Sequence, residues 1–73
     1  MPGAFARWLD SLMPAVFESD AALARAIGAK QSTVMRWHRG SIPTVPYLLK
    51  LSEVTGTRIE VLLKIAGYRP DGT

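Results

Sequence analysis

The sequence predicts an all-α domain of five short helices, and three observations carry that expectation. Apolar residues recur at helical spacing in five separate stretches, glycine or proline punctuates most of the gaps between them, and no stretch reads as a strand. A chain of 73 residues makes one small domain, 1–73, whose limited core must draw its stability from regular helix packing or from a partner subunit. With no cysteine, disulfide scaffolds and thiolate metal sites are excluded. A single histidine, His38, is too little for a zinc or iron site, so no metal, cofactor or small-molecule ligand is expected.

The first helix is expected over about 4–13, where Phe5, Trp8, Leu9, Leu12 and Met13 share one stripe and Pro14 helps to end it. Ser19 is placed to cap a second helix over 20–27, with Leu23, Ala24 and Ile27 inward and Gly28 suited to the left-handed turn that closes it. The third runs over 31–39 and stops at Gly40. Thr44 can cap a fourth over 45–55, in which Pro46 is tolerated because its missing N–H falls in the first turn. Tyr47, Leu48, Leu51 and Val54 point inward there. Gly56 ends that helix, and Thr57 with Glu60 has the T-x-x-E spacing of a capping box for a fifth over 58–66, whose inward stripe is Ile59, Leu62, Leu63 and Ala66. Residues 67–73 read as a frayed tail.

Charge is unevenly distributed. Residues 1–20 carry Arg7 against Asp10, Glu18 and Asp20, and residues 51–73 are balanced, but residues 21–50 carry Arg25, Lys30, Arg36, Arg39 and Lys50 with no acid. The basic charge therefore sits in the middle third, as expected of a protein with a polyanionic partner. The start of the chain lacks the pattern of a secretory signal, and no apolar run approaches membrane-spanning length, so an intracellular protein with no membrane association is expected.

The third helix is unusual in holding few apolar residues. At about 100° per residue, Val34 and Trp37 fall on one narrow face, with Thr33 beside them, while Gln31, Met35, Arg39, Ser32 and Arg36 occupy the other. One face can anchor the helix and the other presents amide, hydroxyl, thioether and guanidinium groups. Glutamine can pair with the N6 and N7 edge of adenine, arginine with O6 and N7 of guanine, and methionine can meet a thymine methyl. Trp8, Trp37 and Tyr47, spaced helically among aliphatic residues, are expected in the core rather than as base-stacking platforms.

The segment "DAALARAIGAKQSTVMRWHRG" resembles the helix-turn-helix of the lambda-repressor and Cro family of regulators, also called the xenobiotic-response-element family, with Leu23, Ala24, Gly28, Val34, Trp37 and Gly40 at its framework positions. Pro43 followed by "YLLKLSEVTG" and "IEVLLKIAGY" resembles the family's fourth and fifth helices, so the likeness covers roughly residues 5–68. The resemblance implies a five-helix lambda-repressor-like domain whose recognition helix enters the major groove of double-stranded DNA. Gln31, Ser32, Met35 and Arg36 then stand at the base-reading positions, and Lys30, Thr33, Arg39 and Thr44 at phosphate-contacting ones. It also implies a cytoplasmic, nucleoid-associated transcriptional regulator of a bacterium or phage, a repressor of the Cro type.

Three positions depart from the family pattern. Lys30 stands where a Ser or Thr cap is common, which makes it a candidate phosphate contact. Asp20 replaces a frequent Gln near the DNA backbone and would be repelled unless it turns away, and His38 replaces a Glu, so the family's buried Glu–Arg pair cannot form. His38 itself is expected to be structural or at the surface.

On the fifth helix Val61 and Ile65, with Tyr68 one turn on, lie off the inward stripe and are the candidate interface of a homodimer reading a palindromic operator. A sequence ending at residue 73 is expected to carry no effector-binding domain, leaving concentration, a partner or promoter occlusion to regulate it. The alternative is an antitoxin or other protein-interaction module on the same fold, which would be expected to carry an aromatic or aliphatic anchor on the outer face of 31–39. An enzyme is not expected, because no triad, paired acids or phosphate loop is present.

Overall fold

Local signals decide where each helix begins and ends. In the computed structural model, which describes residues 3–68, the helices are α1 (Ala4–Ser11), α2 (Asp20–Ile27), α3 (Gln31–His38), α4 (Val45–Thr55) and α5 (Ile59–Ile65), with no strand among the described residues. Ser19 caps α2 by accepting a hydrogen bond from the Ala22 N–H at 3.2 Å, and Gly28 closes it at φ +72°, a left-handed conformation that costs glycine little. The Ala29 N–H then donates to the Ala24 carbonyl at 2.9 Å, and the chain turns into α3 over the three residues 28–30.

The five helices surround a core of Phe5, Leu9, Leu12, Leu23, Ala24, Ile27, Val34, Trp37, Leu48, Leu51, Leu62 and Ala66. Helices α1 and α2 pack against α3, α4 packs against α2 and α5, and α5 returns to α1. Trp37 is the hinge of this arrangement. Its ring meets Phe5 edge-on at 6.2 Å and Tyr47 at 5.5 Å, joining α3 to α1 and α4 through aromatic contacts. Trp8, Met13, Tyr47, Val54, Ile59 and Leu63 are only half-buried, lining the edge of the core where full burial was expected.

Several expected details differ. Helix α1 stops at Ser11, two residues short of the expected 13, because the Leu12 and Met13 amides bond three residues back and the chain turns before Pro14. Thr44 holds the N-cap position of α4 but its side chain makes no capping bond. The capping box of α5 does not form: Arg58 is the N-cap, and Glu60 approaches Arg58 at 3.5 Å on the open surface. Thr57 is used otherwise. Its N–H donates to Thr55 Oγ1 at 3.2 Å and its carbonyl accepts from Ser52 Oγ at 2.6 Å, which ties the α4–α5 turn back onto the end of α4. Of the expected tail, Gly67 and Tyr68 are described and 69–73 lie outside the described residues. No helix among the described residues is long and apolar enough to cross a membrane.

Candidate nucleic-acid interface

The anchoring face of α3 sinks fully into the core: Val34 is 0% and Trp37 3% exposed. Every other residue of the helix is then placed by these two. Gln31, Ser32, Met35 and Arg36 are exposed, Thr33 is half-buried at the margin, and Arg39 follows directly at the C-cap. A shallow concavity brings together Lys30, Ser32, Thr33, Met35, Arg36 and Arg39. A second, sharing Thr33 and Arg36, continues to Ser41, Ile42, Pro43 and Thr44 at the entrance to α4. All of the expected contact residues except Gln31 thus line one continuous surface; Gln31, at the first position of α3, is exposed but lines neither concavity.

The surface is polar and cationic. Lys30, Arg36 and Arg39 form no ion pair within the described residues. Lys30 is the N-cap of α3 and no side chain caps that helix start. The Thr33 amide donates to the Lys30 carbonyl at 3.0 Å, and an uncapped helix start that carries a lysine suits an anion. Met35, 40% exposed, is the apolar member on α3, and Ile42 adds a second toward α4.

The sequence left Asp20 and His38 without partners, and the structure joins them. His38, the last residue of α3, has Nε2 at 2.7 Å from Asp20 Oδ1 at the start of α2 and Nδ1 at 2.5 Å from Asp10 Oδ1 near the end of α1. Asp20 is thereby turned toward the imidazole. Partial burial alone would lower the His38 pKa, but the hydrogen bonds to Asp20 and Asp10, together with their charges, outweigh it and raise it above the ordinary histidine value of 6.5. The three residues are separated by 18 and 28 positions from His38, so only the packing of α1 and α2 on α3 could reveal them.

The expected dimer residues do not share one exposed face of α5. Val61 is exposed, Ile65 is half-buried against the core, and the exposed Tyr68 donates its O–H to the Pro43 carbonyl at 3.0 Å. That bond sets the end of α5 beside the segment entering α4, where Ile42, Val45 and Leu49 are further exposed apolar side chains. Nothing in the sequence singles these three out. Comparison of the chain with protein-family models, curated proteins and solved structures finds no match in any of them.

Proposed function

We propose that this chain is a sequence-specific double-stranded DNA-binding transcriptional regulator of the lambda-repressor-like helix-turn-helix type, with α3 lying in the major groove. One observation carries the reading: the outer face of α3 is free of acids, holds Lys30, Arg36 and Arg39 around Ser32, Thr33 and Met35, and lies opposite the buried Val34 and Trp37. A helix whose apolar side is used up in anchoring and whose polar side is rigid and cationic suits a groove lined by phosphates and base edges. In this reading Gln31, Ser32, Met35 and Arg36 read bases. Lys30, Thr33, Arg39 and Thr44 contact phosphates on the flanks, consistent with the uncapped start of α3 and with the concavity that runs on to Thr44.

A dimer completes the proposal. Principal extents of 34 × 27 × 20 Å are compatible with two copies side by side whose third helices meet successive major grooves, about 34 Å apart. Val61 and Tyr68 are the exposed members of the expected contact, Ile65 being half-buried against the core, and the exposed Val45 and Leu49 of α4 are further apolar surface for it. The antitoxin alternative draws on the same apolar side chains, which a different protein could cover; the outer face of α3 offers it only Met35 as an anchor.

The test is selection of binding sites from random duplex DNA, followed by affinity against salt on the enriched sequence. A recovered motif and a log affinity that falls linearly with log salt, by about 0.9 for each phosphate neutralised, are expected. No enriched motif together with a salt-independent affinity defeats the reading. For the dimer, sedimentation should give twice the protomer mass on a palindromic site, and a strict monomer both free and bound rules it out.

A further inference from the structure

We propose that His38 is a positioning residue for the recognition helix: as an imidazolium it holds α3 to both α1 and α2, and DNA affinity falls when its proton is lost to solvent. The inference rests on the DNA-binding reading above and adds its regulation by pH. The argument begins with donors and acceptors. Asp10 Oδ1 and Asp20 Oδ1 each lie within hydrogen-bond distance of a different ring nitrogen, at 2.5 and 2.7 Å. Ionised carboxylates only accept, and a neutral imidazole has one N–H and one bare nitrogen. Only the protonated ring can donate to both at once, so loss of the proton turns one of the two contacts into a lone pair facing a carboxylate oxygen.

Burial decides which contact fails first. Asp10 is 63% exposed and can find water, whereas Asp20, at 25%, and His38, at 22%, are mostly enclosed. The remaining N–H therefore stays with Asp20, and the tie from α3 to α1 is released. The cleft around the ring is lined by Asp10 and Met13 from α1 and the turn after it, Asp20 from α2, and Met35 and Arg39 from α3 and its C-cap. The charged groups facing His38 are thus the two aspartates and Arg39, and no side chain of α4 or α5 lines this cleft. A histidine at the last position of a helix is also favoured in its charged form by the helix dipole.

Two effects on DNA binding follow, both of one sign. Met35 and Arg39 line the histidine cleft and the cationic concavity alike, so a looser end of α3 displaces residues assigned to bases and phosphates. Deprotonation also removes a positive charge from a group of two carboxylates beside that surface, leaving them to repel the phosphates.

The experiment measures affinity for the selected duplex at fixed salt from about pH 6 to about pH 8.5, with the His38 ring titration followed by NMR on the same protein. Wild type should lose affinity through the His38 midpoint, toward a limit of about tenfold per pH unit if only the protonated form binds. His38→Gln should bind with a flat profile near the weak, high-pH level of wild type, which also separates His38 from the terminal amine. Asp10→Asn is the decisive variant. Its amide can donate to the bare Nδ1, so a neutral ring satisfies both sides, and the profile should flatten at the strong level. A wild-type affinity that is unchanged across the His38 midpoint, or an Asp10→Asn profile that falls as steeply as wild type, overturns the inference while leaving DNA binding intact. Absence of binding at every pH overturns the DNA reading itself, and this inference with it.

Discussion

Replacing Trp37 by alanine tests how far the placement of α3 depends on the larger of its two buried anchors. Trp37 is 3% exposed and touches the rings of Phe5 and Tyr47. Truncating a buried tryptophan costs about 3–5 kcal/mol, part of it the two aromatic contacts, each worth about 0.5–1.5 kcal/mol beyond their area. For 73 residues the whole stability is expected at about 4–11 kcal/mol, so this one change removes a large share of it. Met35→Ala is the control: it lies on the same helix, gains slightly less in helix propensity, and removes an exposed side chain. It should stay within about 0.5 kcal/mol of wild type. Urea denaturation followed by far-ultraviolet circular dichroism, which does not depend on the lost indole, reads both. A Trp37→Ala loss below about 1 kcal/mol, or one equal to that of Met35→Ala, would refute the anchoring argument.

Other predictions concern the site and its supports. Arg36→Ala is expected to relax sequence preference at one or two operator positions at a cost of about 1–3 kcal/mol, read by binding to single-base variants of the selected site. Arg39→Ala should instead weaken all sequences nearly equally and reduce the salt slope by about 0.9; a sequence-selective loss would move Arg39 among the base readers. Gly28→Ala meets open space but places a Cβ at φ +72°, so it should cost about 1–2 kcal/mol through the backbone alone, measurable in the same denaturation assay. Because the folded His38 pKa lies above its unfolded value of 6.5, its contribution to stability is complete below about pH 6.5 and lost as pH rises through the folded value. Thermal midpoints measured against pH should show that decline in wild type and not in His38→Gln.

The parts of this structure legible in the sequence are those fixed by neighbours along the chain. Ser19, the apolar stripe of α2 and Gly28 lie within ten consecutive residues, and the two-faced pattern of α3 follows from helical geometry once Val34 and Trp37 are set inward. Where two local solutions compete, the sequence is ambiguous. Thr57 has the spacing of a capping residue, but Ser52 and Thr55 from the preceding helix engage it first, and Thr44 sits at a cap without using its hydroxyl. The union of Asp10, Asp20 and His38 has no periodic signature at all. It depends on how three helices pack, and each residue alone reads as an ordinary surface charge. Likewise Ile42, Val45 and Leu49 lie outside the inward stripe of α4, and nothing in the sequence marks them as exposed apolar surface until the packing is known.

Among the described residues the buried set contains no polar or charged side chain. Apolar contacts are non-directional, and cores of this kind accept exchanges such as Leu for Met at a cost usually below about 1.5 kcal/mol, provided volume is kept. Such an interior is close-packed and, with the edge-on rings at Trp37, seats each helix, but it forgives a small rotation or slide more readily than a directional bond does. The alignment mark is then left to the rim, where one ring with two nitrogens registers three helices at once.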